Sequence, residues 1–200
     1  MTASPARPLL MLAVYAVYWA WMAWHPKDRT IWMFENVLVV LVVPLLLFSC
    51  RRFRFSDGSY FAMFVFLCLH TYAAHYTYQA TPFDVWLKEL YPTPRSYFDR
   101  IVHFLFGFLL VIPAREFYVR RSGQRAWWSY AVPAAIIMAL SSLFEEIEMV
   151  VALIGQGAGQ EYVGIQGDVF DSEKDMGLAA IGALLTLGFE AWRSRRRAKA

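Results

Sequence analysis

The chain is short of charge. Asp, Glu, Lys and Arg make up only 18% of its 200 residues, and apolar residues make up 58%. Soluble domains carry about 25% charged and roughly 45–50% apolar residues, so most of this chain is expected to lie in lipid. Segment length also argues against a soluble helical bundle. Residues 8–24 and 31–48 are nearly free of charge, apart from Glu35 near one end of the second stretch, and each approaches the ~20 residues that cross a bilayer.

Cysteine is scarce as well, since Cys50 and Cys68 are the only two. Cys50 falls at the end of one apolar segment and Cys68 inside another, which argues against a disulfide framework and against a metal site of paired thiolates. The glycines between residues 155 and 167 lack the lysine and the spacing of a phosphate-binding loop. The sequence has no internal repeat or low-complexity linker that would divide it into domains.

Six apolar segments predict an all-α integral membrane protein with about six transmembrane helices in one bundle. They cover about residues 8–24, 31–48, 60–79, 98–118, 128–151 and 176–192. Residues 1–192 are therefore expected to form the transmembrane domain, and residues 193–200 a basic cytoplasmic tail.

Arginine and lysine predict the orientation of this bundle. They are concentrated in the second connection, the fourth connection and the tail, which include Arg51, Arg54, Arg120, Arg125 and Arg196. Short loops rich in these residues remain in the cytoplasm, so both termini of this multi-pass protein are predicted to be cytoplasmic. The net charge of +3 then reflects topology and attraction to anionic membrane lipids, and no nucleic-acid partner is expected.

Ionisable residues interrupt the apolar segments near ends that this topology places on the outer side of the membrane. A charged side chain in hydrocarbon costs several kcal/mol, so these residues predict a shared polar site. In the third segment, His70 and His75 are five positions apart, about 140° around a helix. We expect His75 to be a metal ligand, and His70 and Tyr76 to contact a substrate. The alternative for His75 is a place in an interfacial aromatic belt.

Two further segments carry acids at helical spacing. Asp99 and His103 are one turn apart, which suits a carboxylate that orients an imidazole or two ligands of one metal. The alternative for Asp99 is capping of the helix N-terminus. Glu145 and Glu148 share a helix face, where two acids either favour each other's protonated form or hold a cation. The alternative for Glu148 is that it is solvated beyond the end of the span.

A third acidic group precedes the last segment. Asp168, Asp171 and Asp175 would share one helix face, and Gln166 before them is a candidate substrate contact. The alternative for these acids is interaction with the positive N-terminal end of the helix dipole. Their spacing is similar to the magnesium–pyrophosphate motif of UbiA-type membrane prenyltransferases. That family has a second acidic motif and places its acids toward the cytoplasm, so similarity of spacing alone is a weak argument.

The chain resembles the YjdF-type inner-membrane proteins of bacteria, a family of unknown function, in four motifs: HYTY, YFDRIVHFLFG, FEEIE and QGDVFDSEKDM. This resemblance covers about residues 8–192 and implies a multi-span helical membrane protein. The functional positions that it implies are His75, Asp99, His103, Glu145, Glu148, Gln166, Asp168, Asp171 and Asp175. The element DRIVHF is also similar, more distantly, to the opening of one helix in VanZ-like membrane proteins. Neither resemblance supplies a reaction.

Three functions fit these features. The first is a metal-dependent enzyme that acts on a lipid or lipid-linked substrate at the outer face, with a divalent metal ion as cofactor, because His and carboxylate donors without thiolate suit such an ion. The second is a proton- or ion-coupled transporter, and the third is a non-catalytic lipid- or ion-binding factor. The donor set favours the first. Its catalytic residues would be Asp99, His103, Glu145 and Glu148. Its metal ligands would come from His75, His103, Glu145, Glu148, Asp168, Asp171 and Asp175.

Overall fold

The computed structural model describes residues 6–91, 93, 95–154 and 170–197. Over these residues the chain forms seven α-helices: α1 (Ala6–Met22), α2 (Arg29–Ser49), α3 (Asp57–His75), α4 (Pro82–Leu90), α5 (Phe98–Ser122), α6 (Trp128–Ile154) and α7 (Asp171–Arg197). The prediction of an all-α chain is confirmed for the described residues. The division into residues 1–192 and 193–200 stays a prediction.

Three helices of the described ranges, α2, α5 and α7, are long and apolar enough to cross a membrane. Large apolar side chains cover much of the outer surface: Val17, Phe48 and Leu153 are 73%, 79% and 75% exposed. An apolar surface of this extent is typical of a protein embedded in lipid, where acyl chains cover it. The number of six spans and the cytoplasmic position of the termini stay predictions.

Local hydrogen bonds explain where several helices begin and end. Asp28 accepts hydrogen bonds at 2.7 and 2.9 Å from two backbone N–H groups in the first turn of α2. The hydroxyls of Ser56 and Thr81 each accept one such hydrogen bond, at the starts of α3 and α4. Gly123 ends α5 with a φ of 71°, a left-handed conformation that glycine adopts without steric cost.

The short helix α4 lies where the six-helix prediction has a loop. Its Asp84 is 1% exposed and accepts hydrogen bonds from the Thr81 hydroxyl at 2.9 Å and from the backbone N–H of Tyr97 at 2.6 Å and of Phe98 at 3.3 Å. These bonds satisfy the first N–H groups of α5, which have no partner within their own helix. Asp84 therefore performs the capping role that the sequence offered as the alternative for Asp99.

Helices α5 and α7 approach each other closely enough for backbone contact. A Cβ atom at Gly107 would overlap the carbonyl group of Ala179, and one at Gly182 would overlap the backbone of Phe104. Small residues allow two helices to pack this closely, which stabilises helix pairs in lipid. The crossing lies one turn from His103 along α5 and one turn from Asp175 along α7.

The remaining helices surround this pair. Helix α3 packs against α5, α1 and α2 pack on α3, and α6 contacts both α5 and α7. At the arginine-rich end, Glu116 of α5 accepts hydrogen bonds from the hydroxyls of Ser56 at 2.7 Å and Ser59 at 2.5 Å, and from Arg120 at 2.6 Å. These bonds join the start of α3 to the last part of α5.

The glycine crossing predicts a large difference between two equivalent substitutions in α7. Gly182→Val should destabilise the protein by about 1–3 kcal/mol, because the added methyl groups overlap the α5 backbone. Gly188→Val changes the same residue type in the same helix, but no atom of the described residues lies within 4 Å of a Cβ there. Thermal unfolding in detergent should show a lower Tm for the first variant alone. Equal losses in both variants would contradict the backbone contact.

Candidate metal centre

Three side chains from α5 and α7 form the centre of a buried polar cluster. Asp99, His103 and Asp175 each offer one ligand atom that lies within 4.8 Å of the other two. His103 Nε2 is 3.5 Å from Asp99 Oδ1, and His103 and Asp175 are 6% and 2% exposed. Ligands about 2.0–2.2 Å from one ion lie roughly 3–4 Å from each other. Small side-chain adjustments would therefore allow these three to coordinate one cation.

Glu145 of α6 adds a further carboxylate to this centre. Its Oε1 is 3.4 Å from His103 Nε2, and Ser172 at the start of α7 lies near its carboxylate. Glu145 is 8% exposed, and among the described residues its Oε1 has no hydrogen-bond partner. A buried carboxylate oxygen without a partner is costly unless a proton or a cation satisfies it.

The His103 ring lies between two carboxylates. Its Nε2 faces Asp99 Oδ1 at 3.5 Å and Glu145 Oε1 at 3.4 Å. One imidazole nitrogen carries at most one proton, so a hydrogen bond can be optimal to only one of these oxygens. A metal ion at Nε2 would interact with both. The ring is also held edge-on against Phe144, with a centroid distance of 5.8 Å, which fixes its orientation.

Two arginines hold the first residue of α7. Arg95 forms an ion pair with Asp171, and Arg100 Nη2 is 3.9 Å from Asp171 Oδ1. Arg95 Nη2 is also 4.0 Å from Asp175 Oδ2. By sequence spacing, Asp171 and Asp175 share one helix face and are equivalent candidates for metal ligands. In the structure Asp171 contacts the two guanidinium groups, whereas Asp175 lies beside Asp99 and His103.

Glu35 is a member of the cluster that the sequence prediction missed. It is 4% exposed within α2, and its carboxylate is close enough to that of Asp99 for electrostatic repulsion. The partly buried Glu148 experiences the same repulsion from Asp99, Glu145 and Glu35. In the part of the chain that the structure describes, Glu35 Oε2 has no hydrogen-bond partner. The sequence feature that could have identified Glu35 is its charge inside an apolar segment, because such residues usually face the interior of a helical bundle.

His70 is buried beside Glu35 and has both ring nitrogens engaged. Its Nε2 is 3.0 Å from the backbone carbonyl oxygen of Glu35, and its Nδ1 is 2.5 Å from the Tyr78 hydroxyl. Because a carbonyl oxygen only accepts, Nε2 carries the proton and Nδ1 accepts from Tyr78. Tyr78 reaches this position through two successive residues with positive φ, Thr77 at 60° and Tyr78 at 59°. His70 therefore fastens α3 to α2 next to the carboxylate cluster.

The other sequence-predicted positions lie elsewhere. His75 donates from Nδ1 to the carbonyl oxygen of Met22 at 2.7 Å, which joins the ends of α3 and α1. Tyr76 packs between the rings of Tyr72 and His75, at centroid distances of 4.9 and 4.7 Å. His75 is not a member of the Asp99–His103–Asp175 group. Gln166 and Asp168 lie outside the described residues.

Comparison with known proteins identifies the family. Residues 7–196 match the family described as "Predicted membrane protein (DUF2238)". The chain belongs to this family. It is also 33% identical to "Inner membrane protein YjdF" of Escherichia coli (strain K12) over 166 residues, which are 82% of this chain and 79% of that protein. The resemblance carried by the four sequence motifs is thus confirmed. No solved structure matches the chain.

The buried position of Glu35 generates a pH-dependent prediction. In metal-free protein, Glu35→Gln removes one carboxylate from a group that repels itself when ionised. The variant should have a Tm about 2–4 °C above wild type at about pH 8.5, the shift for ~1 kcal/mol in a chain of this size. The gain should shrink at a lower pH, because protonation relieves the same repulsion in wild type.

The exposed Glu89 of α4 provides the matched control. Glu89→Gln makes the same chemical change outside the cluster, so its Tm should follow wild type at both pH values. A Tm for Glu35→Gln that falls below wild type at high pH would show that the Glu35 charge is stabilised there, contrary to this assignment.

Proposed function

We propose that this membrane protein binds one divalent cation through Asp99, His103 and Asp175, with Glu145 as a further ligand. We propose further that the ion serves chemistry on a lipid or lipid-linked substrate at this end of the bundle. One observation carries the proposal: the ligand atoms of Asp99, His103 and Asp175 lie within 4.8 Å of one another in the interior of a largely apolar helical protein. Imidazole and carboxylate donors without thiolate favour a hard or borderline divalent ion.

The charge balance of the cluster supports a cation. Its carboxylates come from four helices: Glu35, Asp99, Glu145, Glu148, Asp171 and Asp175. The described ion pairs bring to them the guanidinium groups of Arg95 and Arg100 and the imidazole of His103, fewer basic groups than there are acids. Since an unpaired charge in a medium of low polarity costs several kcal/mol, protons or a cation must balance the remainder. A cation does so while also satisfying carboxylate oxygens that have no hydrogen-bond partner among the described residues.

The exposed side of the cluster suits an anionic substrate group. The side chain of Asp99 is 31% exposed and that of Arg100 is 22% exposed, whereas those of His103 and Asp175 are 7% and 3% exposed. A phosphoryl or carbonyl oxygen that approaches from this side would meet the ion and the Arg100 guanidinium together. An ion in this position would polarise that oxygen or activate a water molecule, and Glu148 would accept the proton.

Proton-coupled transport is the second candidate function, and the position of Glu35 favours it. Glu35 and His70 extend the polar cluster from α5, α6 and α7 into α2 and α3. A series of buried acids and imidazoles across several helices is typical of proton relays in transporters. In this alternative, protons rather than a metal ion balance the carboxylates.

Metal binding is tested on purified protein in detergent. Elemental analysis should find about one divalent ion per chain. Asp175→Asn and His103→Gln should weaken binding by on the order of 100-fold, because each removes a direct ligand, a loss at least as large as that from an outer-shell partner. Glu146→Gln is the matched control, since Glu146 is exposed and directly follows Glu145. It should bind the ion as wild type does.

Chelation provides the second measurement of the same proposal. Removing the ion leaves mutually repelling carboxylates at the starts of α5 and α7, so a chelator should lower the Tm and added divalent ion should restore it. In Asp175→Asn the chelator should have no effect. A wild-type Tm that responds to neither chelator nor divalent ions at neutral pH would contradict the metal and favour the relay, which a pH-dependent flux in liposomes then measures.

A further inference from the structure

A cavity of about 330 Å³ lies between α1, α2 and α3, away from the metal centre. Its walls are apolar side chains from all three helices, including Leu12 of α1, Leu46 of α2 and Phe64 of α3. It is formed by the first half of α1, the last part of α2 and the first half of α3, whereas Glu35 and His70 lie near the opposite ends of α2 and α3. The cavity is thus at the arginine-rich end of the bundle.

The contacts between α1 and its neighbours explain why this space exists. Trp19 Nε1 donates to Asn36 Oδ1 at 2.6 Å, and the rings of Trp19 and Trp32 are 5.4 Å apart, so α1 and α2 meet near the end of α1. Tyr15 and Thr71 share a hydrogen bond at 3.0 Å, which holds the middle of α1 on α3. Beyond these contacts, the first turns of α1 and the last turns of α2 are separated by the cavity.

Two arginines line the cavity at the end where α2 finishes. They are Arg51 and Arg54. The Arg54 backbone carbonyl accepts a hydrogen bond from Arg120 at 2.5 Å, which holds the segment that carries both arginines. Arg7, at the start of α1, pairs instead with Asp57 at 2.8 Å. Guanidinium groups bind phosphate oxygens in a bidentate manner and remain charged at any physiological pH.

An apolar cavity lined at one end by two arginines complements an amphiphile with a negative head and a hydrocarbon tail. The volume lies within the range of specific ligand sites, and two of the lining side chains, Leu9 and Leu47, are exposed at the protein surface. We propose that this cleft binds one anionic phospholipid, with an acyl chain between α1 and α2 and its phosphate group at Arg51 and Arg54.

Native mass spectrometry of the detergent-purified chain tests this site with two probes, phosphatidylglycerol and phosphatidylcholine. Wild type should bind one phosphatidylglycerol molecule at least tenfold more tightly than phosphatidylcholine. Arg51→Gln/Arg54→Gln should reduce that preference tenfold or more. Arg195→Gln/Arg197→Gln is the matched control, because these exposed arginines lie at the end of α7 and do not line the cleft. It should keep the preference.

The apolar part of the cleft is tested by filling it. Leu46→Trp, or Met63→Trp if the first variant fails to fold, should displace the lipid while the Tm without lipid stays near that of wild type. Tight phosphatidylglycerol binding in a folded, filled variant would overturn the proposal. Equal affinity for the two lipids in wild type, or an equal loss in the control pair, would overturn it as well and would indicate attraction to surface charge alone.

Discussion

An excess of buried carboxylate over buried cation is the constraint on which the interior of this protein depends. Apolar helices exclude water, so each acid inside the bundle needs a proton, a hydrogen-bond donor or a positive charge. Arg95 and Arg100 supply part of that charge through Asp171. The carboxylates of Asp99, Glu145 and Asp175 lie around the His103 ring. A single divalent ion bound among them would balance two of the uncompensated negative charges at once.

The close contact between α5 and α7 fixes the positions of the side chains in this cluster. Gly107 and Gly182 allow the two backbones to touch, and Thr186 reinforces the contact by donating to the carbonyl of Phe108 at 2.7 Å. His103 lies one turn from Gly107 on α5, and Asp175 lies one turn from Ala179 on α7, so their separation is set by rigid backbone rather than by loops. Functional side chains are held most precisely by rigid helices or strands, and this crossing provides such a support for the candidate centre.

The sequence predicted the parts of this structure that depend on local pattern. Apolar runs located six of the seven described helices, and the one-turn spacing of Asp99 and His103 placed them on one face. The short helix α4 carries too few residues for a reliable apolar pattern, and its capping of α5 depends on Asp84, thirteen positions before Tyr97. Spacing also could not separate Asp171 from Asp175, because the distinction comes from the position of Asp175 beside Asp99 and His103 of another helix. Long-range contacts of this kind are not encoded in periodicity.

The most direct test of a centre built on His103 is X-ray absorption by protein loaded with one equivalent of Zn²⁺. We expect one imidazole nitrogen and at least two carboxylate oxygens at about 2.0–2.2 Å from the metal. His103→Gln should remove the imidazole signal, and His75→Gln should leave it intact, since His75 donates to the Met22 carbonyl outside the cluster. A spectrum with no imidazole in wild type, or one that loses its imidazole only in His75→Gln, would contradict a metal centre built on His103.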